Sequence, residues 1–194
     1  MFVDKPFTPT LELARDLIDL ARLHSTMVMS CSALRFSPTI IAAHDTVNAC
    51  SGNPASSTDL SPLAHITGSF ARNSPHGADF YVVHGIEATL AVLGSHASSY
   101  SHSVYRDRIE VSFTLDHQLH SHQVRLTLLE EAHHGYVPHF VKLAGAPRQP
   151  VSLGPNYLEP VMRAWTKSLQ RNVPFISSQE MLTSVEITAN ILAQ

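Results

Sequence analysis

Apolar positions recur at helical spacing soon after the chain begins. Leu13, Leu17, Leu20, Ala21 and Leu23 follow Thr8 and Thr10, either of which offers an N-cap oxygen, and Glu12 falls in the first turn. The run Met1-Phe2-Val3, closed by Asp4-Lys5-Pro6-Phe7, and residues 26–31 have strand character on either side. Strand, helix and strand in so short a span predict a βαβ unit with a right-handed crossover and parallel pairing. Two strands cannot bury both faces of their own sheet, so this unit must lean on the rest of the chain or on a second subunit.

Beyond it, residues 38–49 read as a helix, and Ser51-Gly52-Asn53-Pro54 opens a breaker-rich loop. Residues 63–71 alternate as a strand, and a turn at 73–77 precedes a helix around His84. From residue 98 the pattern turns to β, with strands at 101–105, 108–115, 122–130 and 136–143. Helical spacing returns at 155–170 and 178–193, the second capped by Ser177 or Ser178 with Glu180 close behind. The expected class is α+β, an antiparallel open-faced sheet with helices on one face.

Composition fits a folded, soluble unit: 194 residues, 44% hydrophobic and 15% charged. No run of about eighteen apolar residues is present, and Asp4 and Lys5 interrupt the place where a secretory signal carries its apolar core, so a cytoplasmic protein with no membrane partner is expected. A net charge of −3 without a Lys/Arg cluster argues against nucleic acid. Cys31 and Cys50 define no disulfide framework and read as reduced thiols.

Three segments together resemble the glucose-fructose oxidoreductase, inositol dehydrogenase and MocA (Gfo/Idh/MocA) family. They are Asp4-Lys5-Pro6-Phe7 with the helix after it and Leu34-Arg35-Phe36-Ser37-Pro38; His84-Gly85-Ile86-Glu87 running on to Leu93-Gly94; and the closing helices from Tyr157 through Trp165 to the C-terminus. The resemblance implies that residues 1–36 are the remnant end of a Rossmann-like cofactor domain and 37–194 a substrate and dimerisation domain. It also implies that Lys5 lies between nicotinamide and substrate, that His84 is the catalytic histidine, and that a second subunit covers the sheet. A homodimer is therefore expected, also because a large apolar sheet face is rarely left exposed.

The sequence departs from the family in two ways. Its eight glycines form no G-x-G-x-x-G and no P-loop, so no dinucleotide cofactor is expected to bind this chain. The family's aspartate four residues before the histidine is here Phe80. Tyr81 supplies a hydroxyl nearby, and Glu87 lies one turn beyond His84 on the same helical face.

Lys5, His84 and Tyr81 are the candidate catalytic residues, since an imidazole and an amine with shifted pKa values are the usual proton-transfer groups. Arg35, Phe80 and Glu87 are candidates for substrate binding, Arg35 through its forked donors. Thirteen histidines raise the question of a metal, above all at His117, His120 and His122 with His133 and His134 near them, but the spacing fits no closed zinc motif and none is expected. Without a G-x-S-x-G elbow a serine hydrolase is unsupported.

Three functional readings follow. The first is a cofactor-independent enzyme that moves protons to eliminate, isomerise or cyclise a small oxygenated substrate. The second is a non-catalytic dimerisation or ligand-binding module, and the third an inactive fragment of an NAD(P)-dependent oxidoreductase. Retention of both Lys5 and His84 favours the first.

Overall fold

A computed structural model describes residues 1–51, 62–94, 97–117 and 120–193. The N-terminal unit is β1 (Phe2–Val3), α1 (Leu11–Leu23) and β2 (Met29–Ser30), with the two strands paired in parallel. Thr10 is the cap of α1, its hydroxyl accepting the Leu13 amide at 3.3 Å. The helix turns differently from its leucine pattern: Ala14, Ile18 and Ala21 are buried, whereas Leu13, Leu20 and Leu23 face outward. Small side chains at 14 and 21 let α1 approach the C-terminal helix α6 (Ser178–Leu192) closely, and that approach selects the buried face.

After β2 come a 3₁₀ turn (Ala33–Phe36), α2 (Pro38–Ser51), β3 (Ala64–Phe70) and α3 (Asp79–Leu93). Then follow β4 (Ala97–Val104), β5 (Arg108–His117), β6 (His120–Glu130), a single turn α4 (Glu131–His134), β7 (Phe140–Leu143), β8 (Gln149–Pro150), α5 (Leu158–Arg171) and α6. The 3₁₀ turn, α4 and β8 are too short to leave a period in the sequence. The strand expected over 136–143 is regular only from Phe140, since Pro138 lacks a ladder donor.

The class is α+β, as the alternating segments predict, but the six-stranded sheet is mixed rather than antiparallel. Its order is β4-β5-β6-β3-β7-β8, and β3 runs parallel to β6 while every other pair is antiparallel. The cause is topological. β3 is followed by a helix rather than a hairpin, so the β4-β5-β6 meander returns beside it in the same direction.

Ile66, Phe70, Ile109, Val111, Phe113, Leu126 and Leu128 point inward and form one core with α2, α3 and α6. Gly85 permits the contact, because a Cβ there would stand 2.8 Å from Leu128 Cδ2. A second core joins Phe7, Ala14, Ile18, Val28, Met29 and Cys31 to Val161 of α5, Ile176, and Met181 and Val185 of α6, so the N-terminal unit is buried against the closing helices.

The outward face of the sheet is mostly polar. Register puts His65 and Thr67 of β3, Glu110, Ser112 and Thr114 of β5, Arg125 and Thr127 of β6 and Lys142 of β7 on it, with His65 Nε2 2.9 Å from Thr127 Oγ1. Phe140 of β7 and Leu129 of β6 stand on the same face, opposite Thr67 and Ser69. Among the described residues no helix is long and apolar enough to cross a membrane.

Candidate functional site

Helix α3 carries the centre of the site. Phe80, His84 and Glu87 follow at i, i+4 and i+7 on the face turned toward β1 and the 3₁₀ turn. Gly85 lies on the sheet side of the same helix. Tyr81 also turns that way: its ring packs against the sheet core, 5.2 Å from the ring of Phe80.

Lys5 enters from the end of β1, at a cis Lys5–Pro6 bond. Its Nζ donates to the Phe80 carbonyl at 2.9 Å and sits 2.9 Å from the centre of the Phe80 ring. Burial draws its pKa from 10.5 down to about 8, against the opposing pull of Asp4, Glu87 and Asp79. The Lys5 amine therefore exchanges its proton close to physiological pH.

His84 Nδ1 lies 2.6 Å from Ser32 Oγ, and the Phe80 ring meets the imidazole edge-on at 6.0 Å. Burial, then the charge of Lys5, then His139 lower its pKa from 6.5 to about 3, so the ring is neutral under all ordinary conditions. His139, from the loop before β7, approaches from the sheet side. Its ring packs over Gly68, where a Cβ would come within 2.5 Å of Cδ2 and Nε2, and its Nε2 is buried with no hydrogen-bond partner. Burial holds His139 neutral as well, at about 4.

Glu87 is buried beneath this surface. Its carboxyl accepts the Ser32 amide and lies 3.5 Å from Ser184 Oγ. Burial raises its pKa from 4.5 to about 7 against the attraction of Arg35 and the Ser32 amide. Cys31, next to Ser32, is a buried thiol pushed up to about 12 by burial and then by Glu87, and is inert as a nucleophile.

Lys5, Phe80 and His84 thus converge, with Glu87 behind them. Arg35 stands apart from Lys5. Its guanidinium pairs with Glu180 and reaches the Glu87 carbonyl at 3.5 Å, at the wall of a cleft of about 590 Å³ that includes Phe36, Ile41, His44, Phe175 and Thr183. A smaller cleft of about 300 Å³ lies between Pro6–Pro9 and α6. Neither is lined by His84.

Ser32 and His139 were not among the residues singled out in the sequence. A serine in an apolar strand end and a histidine after proline carry no spacing signal, and only the fold brings them to His84. The side chains of His117, His120, His122 and Cys50 lie outside the described residues. Among those described, no three His, Cys, Asp or Glu side chains are grouped to hold a metal.

No protein-family profile matches the sequence, and no curated protein does either. Solved structures do match. The chain superposes over 99% of its length on 70% of a putative myo-inositol dehydrogenase from Sinorhizobium meliloti, at 13% identity and a TM-score of 0.68. An oxidoreductase from Agrobacterium radiobacter, solved with NAD+, L-tartaric acid and magnesium, matches 99% of this chain with 69% of its own, at 12% identity and a TM-score of 0.67. A Gfo/Idh/MocA family oxidoreductase from Vibrio cholerae gives the same coverage and TM-score at 10% identity. At these identities the likeness is one of fold, and it spans both the N-terminal βαβ unit and the sheet with its helices.

Proposed function

We propose that this chain, on the fold of the Gfo/Idh/MocA oxidoreductases, catalyses proton transfer on a small oxygenated substrate at Lys5 and His84. The observation that carries this reading is the convergence of an amine titrating at about 8 with a neutral imidazole, on elements 75 residues or more apart in sequence. Displaced pKa values in one cluster are what acid–base catalysis requires. The Lys5 amine, once neutral, takes a proton from carbon or oxygen of the substrate. Its return at a second position gives isomerisation, its delivery to a departing hydroxyl gives elimination, and ring closure onto a carbonyl gives cyclisation.

The fold implies a nicotinamide dinucleotide, and the strand-to-helix turn of the N-terminal unit offers no cradle for its pyrophosphate. The turn from β1 to α1 holds Pro6 and Pro9 and no glycine, the first glycine of the chain being Gly52. Thr10 Oγ1 already occupies the Leu13 amide at the start of α1. Backbone cannot approach a pyrophosphate closely there. No step is assigned to that cofactor.

Deuterium uptake from D₂O into a panel of small hydroxy-carbonyl compounds and sugar acids, followed by proton NMR, tests the proposal. Exchange or conversion that disappears in both Lys5→Ala and His84→Ala, each still folded, supports it. Near-normal turnover in both variants refutes it.

The clefts favour a second reading, a ligand-binding module, because the larger of the two is walled by Arg35 and Glu180 rather than by His84. Saturable binding without exchange or conversion distinguishes that case. A second copy docked on the polar sheet face by hydrogen bonds and ion pairs is part of either proposal, and sedimentation equilibrium measures it.

A further inference from the structure

Where a carboxylate four residues before His84 is absent, a hydroxyl from another element meets the imidazole. Ser32 caps the 3₁₀ turn, its Oγ accepting the Leu34 amide at 3.2 Å while lying 2.6 Å from His84 Nδ1. Ser32 is fully buried, and Nδ1 is the acceptor its hydroxyl proton meets among the described residues. Were Nδ1 protonated instead, Oγ would accept two N–H groups and its own hydrogen would be buried without an acceptor, an arrangement that buried polar groups avoid. The hydroxyl therefore donates, Nδ1 accepts, and the neutral ring carries its hydrogen on Nε2. Glu87 steadies the donor, because its carboxyl accepts the Ser32 backbone amide from one turn further along α3.

We propose that Ser32 is a positioning residue whose hydroxyl locks His84 in the Nε2–H tautomer, so that His84 meets its ligand as a hydrogen-bond donor to a carbonyl or carboxylate oxygen. This rests on the reading of Lys5 and His84 as the reactive pair, and it narrows the substrate. Nε2 makes no hydrogen bond among the described residues and is not among the buried unpartnered atoms. A donor imidazole beside the Lys5 amine suits an enolisable carbonyl compound, whose oxygen gathers negative charge as the neighbouring carbon loses its proton to Lys5. An alcohol waiting to be deprotonated by His84 is not matched, because the free nitrogen carries a hydrogen rather than a lone pair.

The test is the long-range ¹H–¹⁵N imidazole spectrum of the ¹⁵N-labelled full chain, with His84 assigned by its loss in His84→Gln. The expected pattern is an unprotonated, hydrogen-bonded Nδ1 and a protonated Nε2 that hold from pH 5 to pH 8. In Ser32→Ala the Nδ1 resonance moves downfield toward a free acceptor and the second tautomer appears, and Ser32→Thr restores the original pattern. A protonated Nδ1 in the wild type overturns the proposal, as does a folded Ser32→Ala with wild-type shifts. If that variant does not fold, the wild-type spectrum decides. No substrate is needed, so an intact tautomer lock with no deuterium exchange would discard the enzymatic reading and leave this one standing.

Discussion

Lys5 Nζ rests on the ring of Phe80 and donates to the carbonyl of the same residue, both at 2.9 Å. One residue of α3 thus holds the amine by its π-face and by its backbone. The ring stands where an acid would have kept the amine charged, and it removes water from Nζ without offering a counter-charge. That is the direction in which burial displaces a lysine pKa. Phe80→Leu is expected to cost about 1–2 kcal/mol through the lost cation–π contact and ring packing and, because the ring's attraction favours the charged amine, to leave Lys5 titrating at about 8 or below. NMR titration of the Lys5 side chain, together with urea unfolding, reads both effects.

Lys5 also sets the pH dependence of the proposed reaction. Its folded pKa of about 8 lies below its ordinary 10.5, so the unfolded chain binds more protons between these values and the Lys5 contribution to stability rises with pH across that window. Turnover needs the neutral amine. The rate is expected to climb about tenfold per pH unit below 8 and to level above it, while Lys5→Arg, charged throughout, stays inactive. A rate that falls as pH rises from 6 to 8 is incompatible with Lys5 as base.

Glu87 has the opposite sign. Its folded pKa of about 7 exceeds the ordinary 4.5, so the native state binds more protons between them and loses stability as pH rises through that window, by about 3 kcal/mol in all. Glu87→Gln keeps an oxygen to accept the Ser32 amide and has no charge to bury. His84 and His139 make stability rise with pH below 6.5 in both proteins alike, so the expected signature is the difference: the wild type falls relative to Glu87→Gln from pH 4.5 to 7 in denaturant unfolding.

Arg35 is the counter-ion at this buried edge, paired with Glu180 and electrostatically coupled to Glu87. With only 12% of its side chain exposed, Arg35→Ala strands a partly buried carboxylate and should cost about 3 kcal/mol. Arg35→Ala/Glu180→Gln should recover part of that loss. A thermal-unfolding double-mutant cycle measures the coupling.

The βαβ unit, the long strands and the four large helices beyond it were legible because each repeats a period over enough residues to be read. The direction of β3 against β6 was not, since parallel and antiparallel partners present the same alternation and only the connection through α3 decides. Lys5 and His84 stood out through neighbours in the sequence, Pro6 and the helix ending in Leu93-Gly94. Ser32 has no such neighbour. It becomes visible only when the 3₁₀ turn folds against α3 and places a hydroxyl on Nδ1. The polar lining of the outer sheet face shows the same limit from the other side: alternation says that one face is wet, and not what covers it.

His139 is held in place by an absence. A Cβ on Gly68 would stand 2.5 Å from two atoms of its ring, closer than packed carbon atoms approach, and the Nε2 side of the half-buried ring is itself enclosed. Gly68→Ala is expected to cost about 1–3 kcal/mol by overpacking. It should also push the second neutral imidazole toward His84, disturbing proton transfer more than stability alone explains. His139→Ala removes the obstacle, so Gly68→Ala/His139→Ala should be more stable than Gly68→Ala. Chemical unfolding of the four proteins closes the cycle. If the two substitutions add without coupling, the ring of His139 is not what requires glycine at position 68, and its place beside His84 loses its support.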